Sequence, residues 1–219
     1  MRELNGNRVE GQLLQTMLYS LISSFIVLGI FYFMFLGGLD LGNKLLFIFL
    51  SIVSYAIVLP AFQQVHSYKN MPCMSGMMVG MTVGMISSFL IGFYVASTNG
   101  MFYGWIFGMV VGLAFGIYNG SSCGIMGIME GAMAAFMGGL MGAMTSLMLL
   151  NDHLIASAYI ILGVGAVIMG SLNFMVYKDM KEIEEDVRKG QELVIILSVI
   201  LTTLTILFIA FGPRGGIFA

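Results

Sequence analysis

Residues 100–148 read GMFYGWIFGMVVGLAFGIYNGSSCGIMGIMEGAMAAFMGGLMGAMTSLM, and two spacings run through them. Gly100, Gly104, Gly108, Gly112, Gly116, Gly120 and Gly124 recur at every fourth position. Met126, Met129, Met133, Met137, Met141, Met144 and Met148 follow at steps of three and four. Both are helical periods. Small residues four apart let helix backbones approach inside a membrane, where lipid tails give helices no hydrophobic reason to associate. Thioethers are soft ligands that select ions such as Cu(I) over hard cations. Methionine also fills irregular gaps between close helices. Packing and ligation therefore stand side by side as readings of the stripe.

The same design appears upstream. Met74, Met78, Met81 and Met85 share one helical stripe, Gly76, Gly80 and Gly84 lie on an adjacent face, and Met77 falls between. On a wheel of residues 124–148, Gly124, Gly127, Gly131, Gly138 and Gly142 gather opposite the methionines, and Glu130 falls among the methionines. An intramembrane carboxylate is costly and marks a functional site by default. A bound cation or a proton would offset that cost.

Composition sets the frame. With mean hydropathy +0.98 and 9% charged residues, the 219-residue chain reads as an all-α integral membrane protein. Seven apolar segments are expected, at 17–36, 44–62, 71–96, 101–118, 124–150, 154–177 and 192–211. The whole chain forms one polytopic domain with its Met/Gly-rich core at 71–150. Segments one, two, six and seven read as lipid-facing or supporting spans. The first apolar run reads as a retained helix and not as a removed signal. Residues 178–190 carry the pairs Lys181/Glu185, Glu184/Arg188 and Glu185/Lys189 four apart, the pattern of a solvated helical loop.

Seven spans put Arg2, Arg8, Lys69, Lys178, Lys181, Arg188 and Lys189 on one side, and Lys44 and Arg214 on the other. The positive-inside rule then makes the N-terminus cytoplasmic and the C-terminus external. Segments three and five run outward in parallel, with segment four returning between them. Cys73 and Cys123 fall at their cytoplasmic starts, as reduced thiols able to ligate soft metal. Asp152 and His153 fall at the outer end of segment five. If the two methionine stripes face each other, they form a lane of weak, exchangeable sites about one bilayer long, as conduction requires.

The candidate metal ligands are thus Met74, Met77, Met78, Met81, Met85, Met126, Met129, Met133, Met137 and Met141, with Cys73 and Cys123. Glu130 is the charge or coupling site, and Asp152 and His153 the entrance. Gly76, Gly80, Gly84, Gly104, Gly108, Gly112, Gly116, Gly127 and Gly131 are the candidate packing positions. No phosphate-cradling loop, HExxH or Ser/His/Asp set is present, so no enzyme and no organic cofactor are expected. The net charge of −2 suggests no nucleic-acid partner. A second copy or a membrane partner remains open as the mate of the glycine faces.

The run Met77-x-x-x-Met81-x-x-x-Met85 beside GxxxG helices resembles the Ctr-type copper transporters. In that family an MxxxM motif on a membrane helix binds Cu(I), and GxxxG packs three protomers. The resemblance implies Met77, Met81 and Met85 as ligands and covers the middle third of the chain. That family has three spans, an outer Met-rich tail and a Cys/His-rich end, which this sequence does not share. The segment is also similar to bacterial Met-rich membrane proteins associated with copper handling, which implies a bacterial cytoplasmic membrane. The function expected is a carrier for Cu(I) or a like ion. The alternatives are a proton-linked channel or transporter using Glu130, and a structural or assembly protein.

Overall fold

The computed structural model describes Leu18, Ile22, Phe25, Ile26 and Gly29, together with residues 42–67, 73–180 and 191–212. Among these residues there is no strand. Six α-helices are found, α1 (Gly42–Ser67), α2 (Cys73–Asn99), α3 (Met101–Gly120), α4 (Ile125–Met148), α5 (Leu154–Met180) and α6 (Gln191–Phe211), with a 3-10 turn at Ser121–Cys123. The expected count of seven becomes six among the described residues. Of the first expected segment only the five residues named above are described, all helical. The charged pairs at 181–189 lie outside the described residues.

Four stretches are long and apolar enough to cross a membrane: Cys73–Asn99, Met101–Cys123, Ile125–Met148 and Leu154–Val176. Leu46–Pro60 and Ile196–Ile209 are shorter apolar helices. The chain is a helical membrane protein by this measure.

α2, α3 and α4 form a tight three-helix unit, and α2 and α4 share its most extensive contact. Gly84 lies against Gly131, and Gly92 against Gly139, so α2 and α4 run parallel. Gly104 lies against Ala96, Gly108 against Gly92, and Gly120 against Gly80, so α3 runs back. The reversals are abrupt. Gly100, the single residue between α2 and α3, has φ 106° and ψ 164°. Gly124, ahead of α4, has φ 72° and ψ −151°. Only glycine occupies that backbone region readily.

The second half of the core lies against the other side of α2. Ile48, Ile52, Tyr55, Val58 and Leu59 of α1 pack with Val79, Val83, Ile91 and Val95 of α2. Met169, Leu172 and Val176 of α5 and Ile206 and Ile209 of α6 close this cluster. Segments two and seven are supporting spans here, each burying residues in this cluster. Tyr55 and Leu59 are wholly buried, as are Ser198, Thr202 and Thr205 of α6. The α6 hydroxyls Thr202 and Thr205 donate to carbonyls three and four residues back in their own helix. That satisfies them without water. Two bonds tie the halves together: Asn99 Nδ2 donates to the Phe208 carbonyl at 2.8 Å, and Tyr94 Oη to the Ala158 carbonyl at 3.4 Å. The rings of Phe107 and Phe208 stack at 4.8 Å.

Candidate functional site

The glycines of all three central helices converge. A Cβ placed on Gly84 would stand 3.0 Å from the Gly131 carbonyl oxygen and 3.1 Å from Gly116 Cα. One placed on Gly116 would stand 2.6 Å from the same oxygen. Each helix thus gives a glycine to one crossing point, where van der Waals and backbone contacts replace side chains. Gly80, Gly104, Gly108, Gly112, Gly116, Gly127 and Gly131 all have backbone or a small side chain closer than a Cβ could tolerate. Gly76 is looser, with Ser122 Cβ at 3.5 Å. The ends of the 100–124 ladder have a different cause. Gly124 has open space around it, and its positive φ is what demands glycine.

Ser88 is a central packing position that the glycine and methionine spacings do not mark. It sits at the centre, against Gly112 on one side and Gly138 on the other, while its hydroxyl donates to the Met85 carbonyl at 3.0 Å. The pattern that points to it is a second small-residue ladder, Gly76, Gly80, Gly84, Ser88, Gly92 and Ala96, which continues through a serine and an alanine. Ala96 seats Gly104 in the same way.

With the glycine faces turned inward, the methionines are turned outward. On α2, exposure runs from 39% at Met85 to 78% at Met74, through Met78 and Met81. On α4, Met126, Met129, Met133, Met137, Met141, Met144 and Met148 are all exposed. Met77 and Glu130 are half-buried. The stripes therefore do not clasp each other inside the bundle.

They do border one seam. Gly138 and Gly142 of α4 rest on the backbone of Met85 and Phe89. At about 100° per residue, Glu130, Met137 and Met141 lie roughly 60–100° round α4 from Gly138, against the sense of the helix. Met78, Met81 and Met85 lie roughly 20–80° round α2 from Ser88, with that sense. For parallel helices in contact these arcs are on the same flank. The opposite flank is filled by α3, through Gly84 with Gly116 and Gly139 with Met109. The 24 residues of α4 extend the seam over about 36 Å at the standard helical rise. Among the described residues no cation or hydrogen-bond donor pairs with Glu130.

The two ends differ in chemistry. At one end Cys73 and Cys123 are joined as a disulfide, with Cα atoms 4.7 Å apart. As a disulfide the pair offers no thiolate to a metal; as the two reduced thiols expected from the sequence it presents two. At the other end, 152 and 153 lie in the turn between α4 and α5. His153 Nε2 is 3.7 Å from Asp152 Oδ1, with both side chains open to the surroundings. Among the described residues no three His, Cys, Asp or Glu side chains cluster as a metal site would need. Compared with known proteins, the chain matches no family model, no curated protein and no solved structure.

Proposed function

We propose that the chain carries a soft monovalent metal ion, Cu(I) foremost, through the membrane along the thioethers of the α2/α4 seam. The observation that carries this reading is the presence of methionines from both stripes on one flank, with the half-buried Glu130, unpaired among the described residues, beside them. Glu130 supplies the negative charge that a desolvated cation needs. The methionines supply successive weak sites that are exchanged without a change of charge. The N-terminus is proposed to be cytoplasmic, from the Lys/Arg distribution.

Because the seam opens outward, the path is closed on that side by a second copy or a membrane partner. The same exposure favours a second reading, an assembly protein that offers its methionine face to another membrane protein. Reconstituted liposomes separate the two. The carrier reading expects uptake of Cu(I) by the wild type, and a fall of at least about tenfold, or 1.4 kcal/mol, in Glu130→Gln with folding unchanged. The assembly reading expects no flux from either protein. Flux that is equal in the two proteins removes Glu130 from the path.

A further inference from the structure

The Cys73–Cys123 pair stands where the seam begins, and its surroundings hold it together independently of the S–S bond. Gly76 packs on Ser122 and Cys123, and one turn further in Gly80 packs on Gly120. The start of α2 and the turn leading into α4 are thus fixed by backbone contact. Cleaving the disulfide leaves both sulfurs side by side. Met77 lies one turn into α2 from Cys73, and Met126 three residues after Cys123, so a thioether from each helix follows directly on the two sulfurs.

We propose that Cys73 and Cys123 form a redox-switched soft-metal site at the mouth of the seam, closed as a disulfide and open to Cu(I) or a like ion as a dithiol. The proposal rests on the carrier reading for its purpose, though not for its chemistry. Cys73 is exposed and Cys123 half-buried, so a thiolate of a dithiol reductant attacks Cys73 Sγ. The S–S bond breaks, and Cys123 leaves as a thiolate that takes up a proton. The reductant's second thiol then displaces Cys73 Sγ, which is also protonated, and the reductant departs as its own cyclic disulfide. Two electrons have entered the protein. A soft monovalent ion then replaces the two thiol protons and is held by two thiolates, with Met77 and Met126 next in line. After the ion is released, a small-molecule disulfide such as oxidised glutathione closes the mouth. One cysteine thiolate attacks it and expels one thiol, the second cysteine displaces the other, and the two electrons leave with the two thiols.

The test uses the full chain in detergent with Ag(I), a soft monovalent ion that needs no reductant to keep its valence. Thiols are titrated after equilibration with oxidised glutathione, and again after dithiothreitol treatment and desalting. Ag(I) affinity is measured in both states. The expected result is no titratable thiol in the first state and two in the second, with one Ag(I) bound at least about 100-fold tighter after reduction. Cys73→Ser keeps one thiol and should lose most of that gain, which separates a two-sulfur site from binding to any single thiol. Two thiols persisting under oxidised glutathione would overturn the proposal. So would a Cys73→Ser protein that binds Ag(I) as tightly as the reduced wild type. The carrier reading is scored separately, in the oxidised state, by a variant with Met81, Met85, Met137 and Met141 of the seam changed to Leu. If that variant keeps the wild type's residual Ag(I) binding, the thioether path fails whatever the cysteines do.

Discussion

Gly116 and Gly131 meet so closely that a methyl group on Gly116 would stand 2.6 Å from the Gly131 carbonyl oxygen. The neighbour is backbone, which cannot swing aside. Gly116→Ala should therefore lower stability by about 1–3 kcal/mol through overpacking. A methyl group added to Gly163 or Gly170 would have nothing within 4 Å, and Ala there should be neutral or slightly stabilising through helix propensity. Thermal unfolding in detergent reads both. Equal midpoints for Gly116→Ala and Gly163→Ala would remove the glycine crossing as the basis of the fold.

Gly124 offers a test of conformation without crowding. Its surroundings are open, yet its φ is 72°. Gly124→Ala should cost about 1–3 kcal/mol from backbone strain alone. Gly100→Ala should behave alike, because the chain reverses there at φ 106°. A Gly124→Ala protein as stable as the wild type would mean that the turn into α4 adopts another conformation.

Asn99 tests the join between the two halves of the core. Its amide donates to the Phe208 carbonyl at 2.8 Å. Asn99→Ala should lower stability by about 0.5–1.5 kcal/mol, the usual net worth of such a bond. Its double-mutant cycle with Gly116→Ala should be additive, since the two sites share no partner. Strong coupling would show that the central helices and α6 do not pack as independent contacts.

Much of this architecture is legible in residues 71–148. The four-residue spacing of the glycines announces close helices. The single-residue and four-residue links after Asn99 and Gly120 force α3 to return between parallel neighbours, which brings Cys73 and Cys123 to one end. The wheel also gives the angle between glycine and methionine faces. It does not say which face finds a neighbour, because that depends on the crossing of helices and not on one helix alone. The glycine faces took the neighbours, and Met133 and Met137 were left outward. Nor does the wheel distinguish the role of a glycine inside the ladder from one at its end, as Gly116 and Gly124 show. The burial of Tyr55 in α1 is hidden for another reason. α1 is apolar on nearly all sides, so its periodicity marks no preferred face.

The charge of Glu130 gives a prediction independent of flux. It is half-buried on a span that is long and apolar enough to cross a membrane, and unpaired among the described residues. Neutralising it removes a costly group from an apolar setting. Glu130→Gln should therefore unfold at the same temperature as the wild type or higher. A clear drop in the midpoint would assign Glu130 to the fold and not to a cation.

The central claim is that the outward methionines of the seam are ligands. It is tested most directly by Cu(I) binding to the detergent-purified chain with Cys73 and Cys123 changed to Ser, so that no dithiol masks the thioethers, under reducing conditions and in competition with a chromogenic chelator. The comparison is with the same protein in which Met81, Met85, Met137 and Met141 of the seam are Leu, a change that nearly conserves volume at exposed positions. The account predicts that this variant folds as the wild type does and loses Cu(I) affinity by at least about tenfold, or 1.4 kcal/mol. Binding that is equal in the two proteins would contradict it, and would make the stripe a surface for lipid or a partner helix.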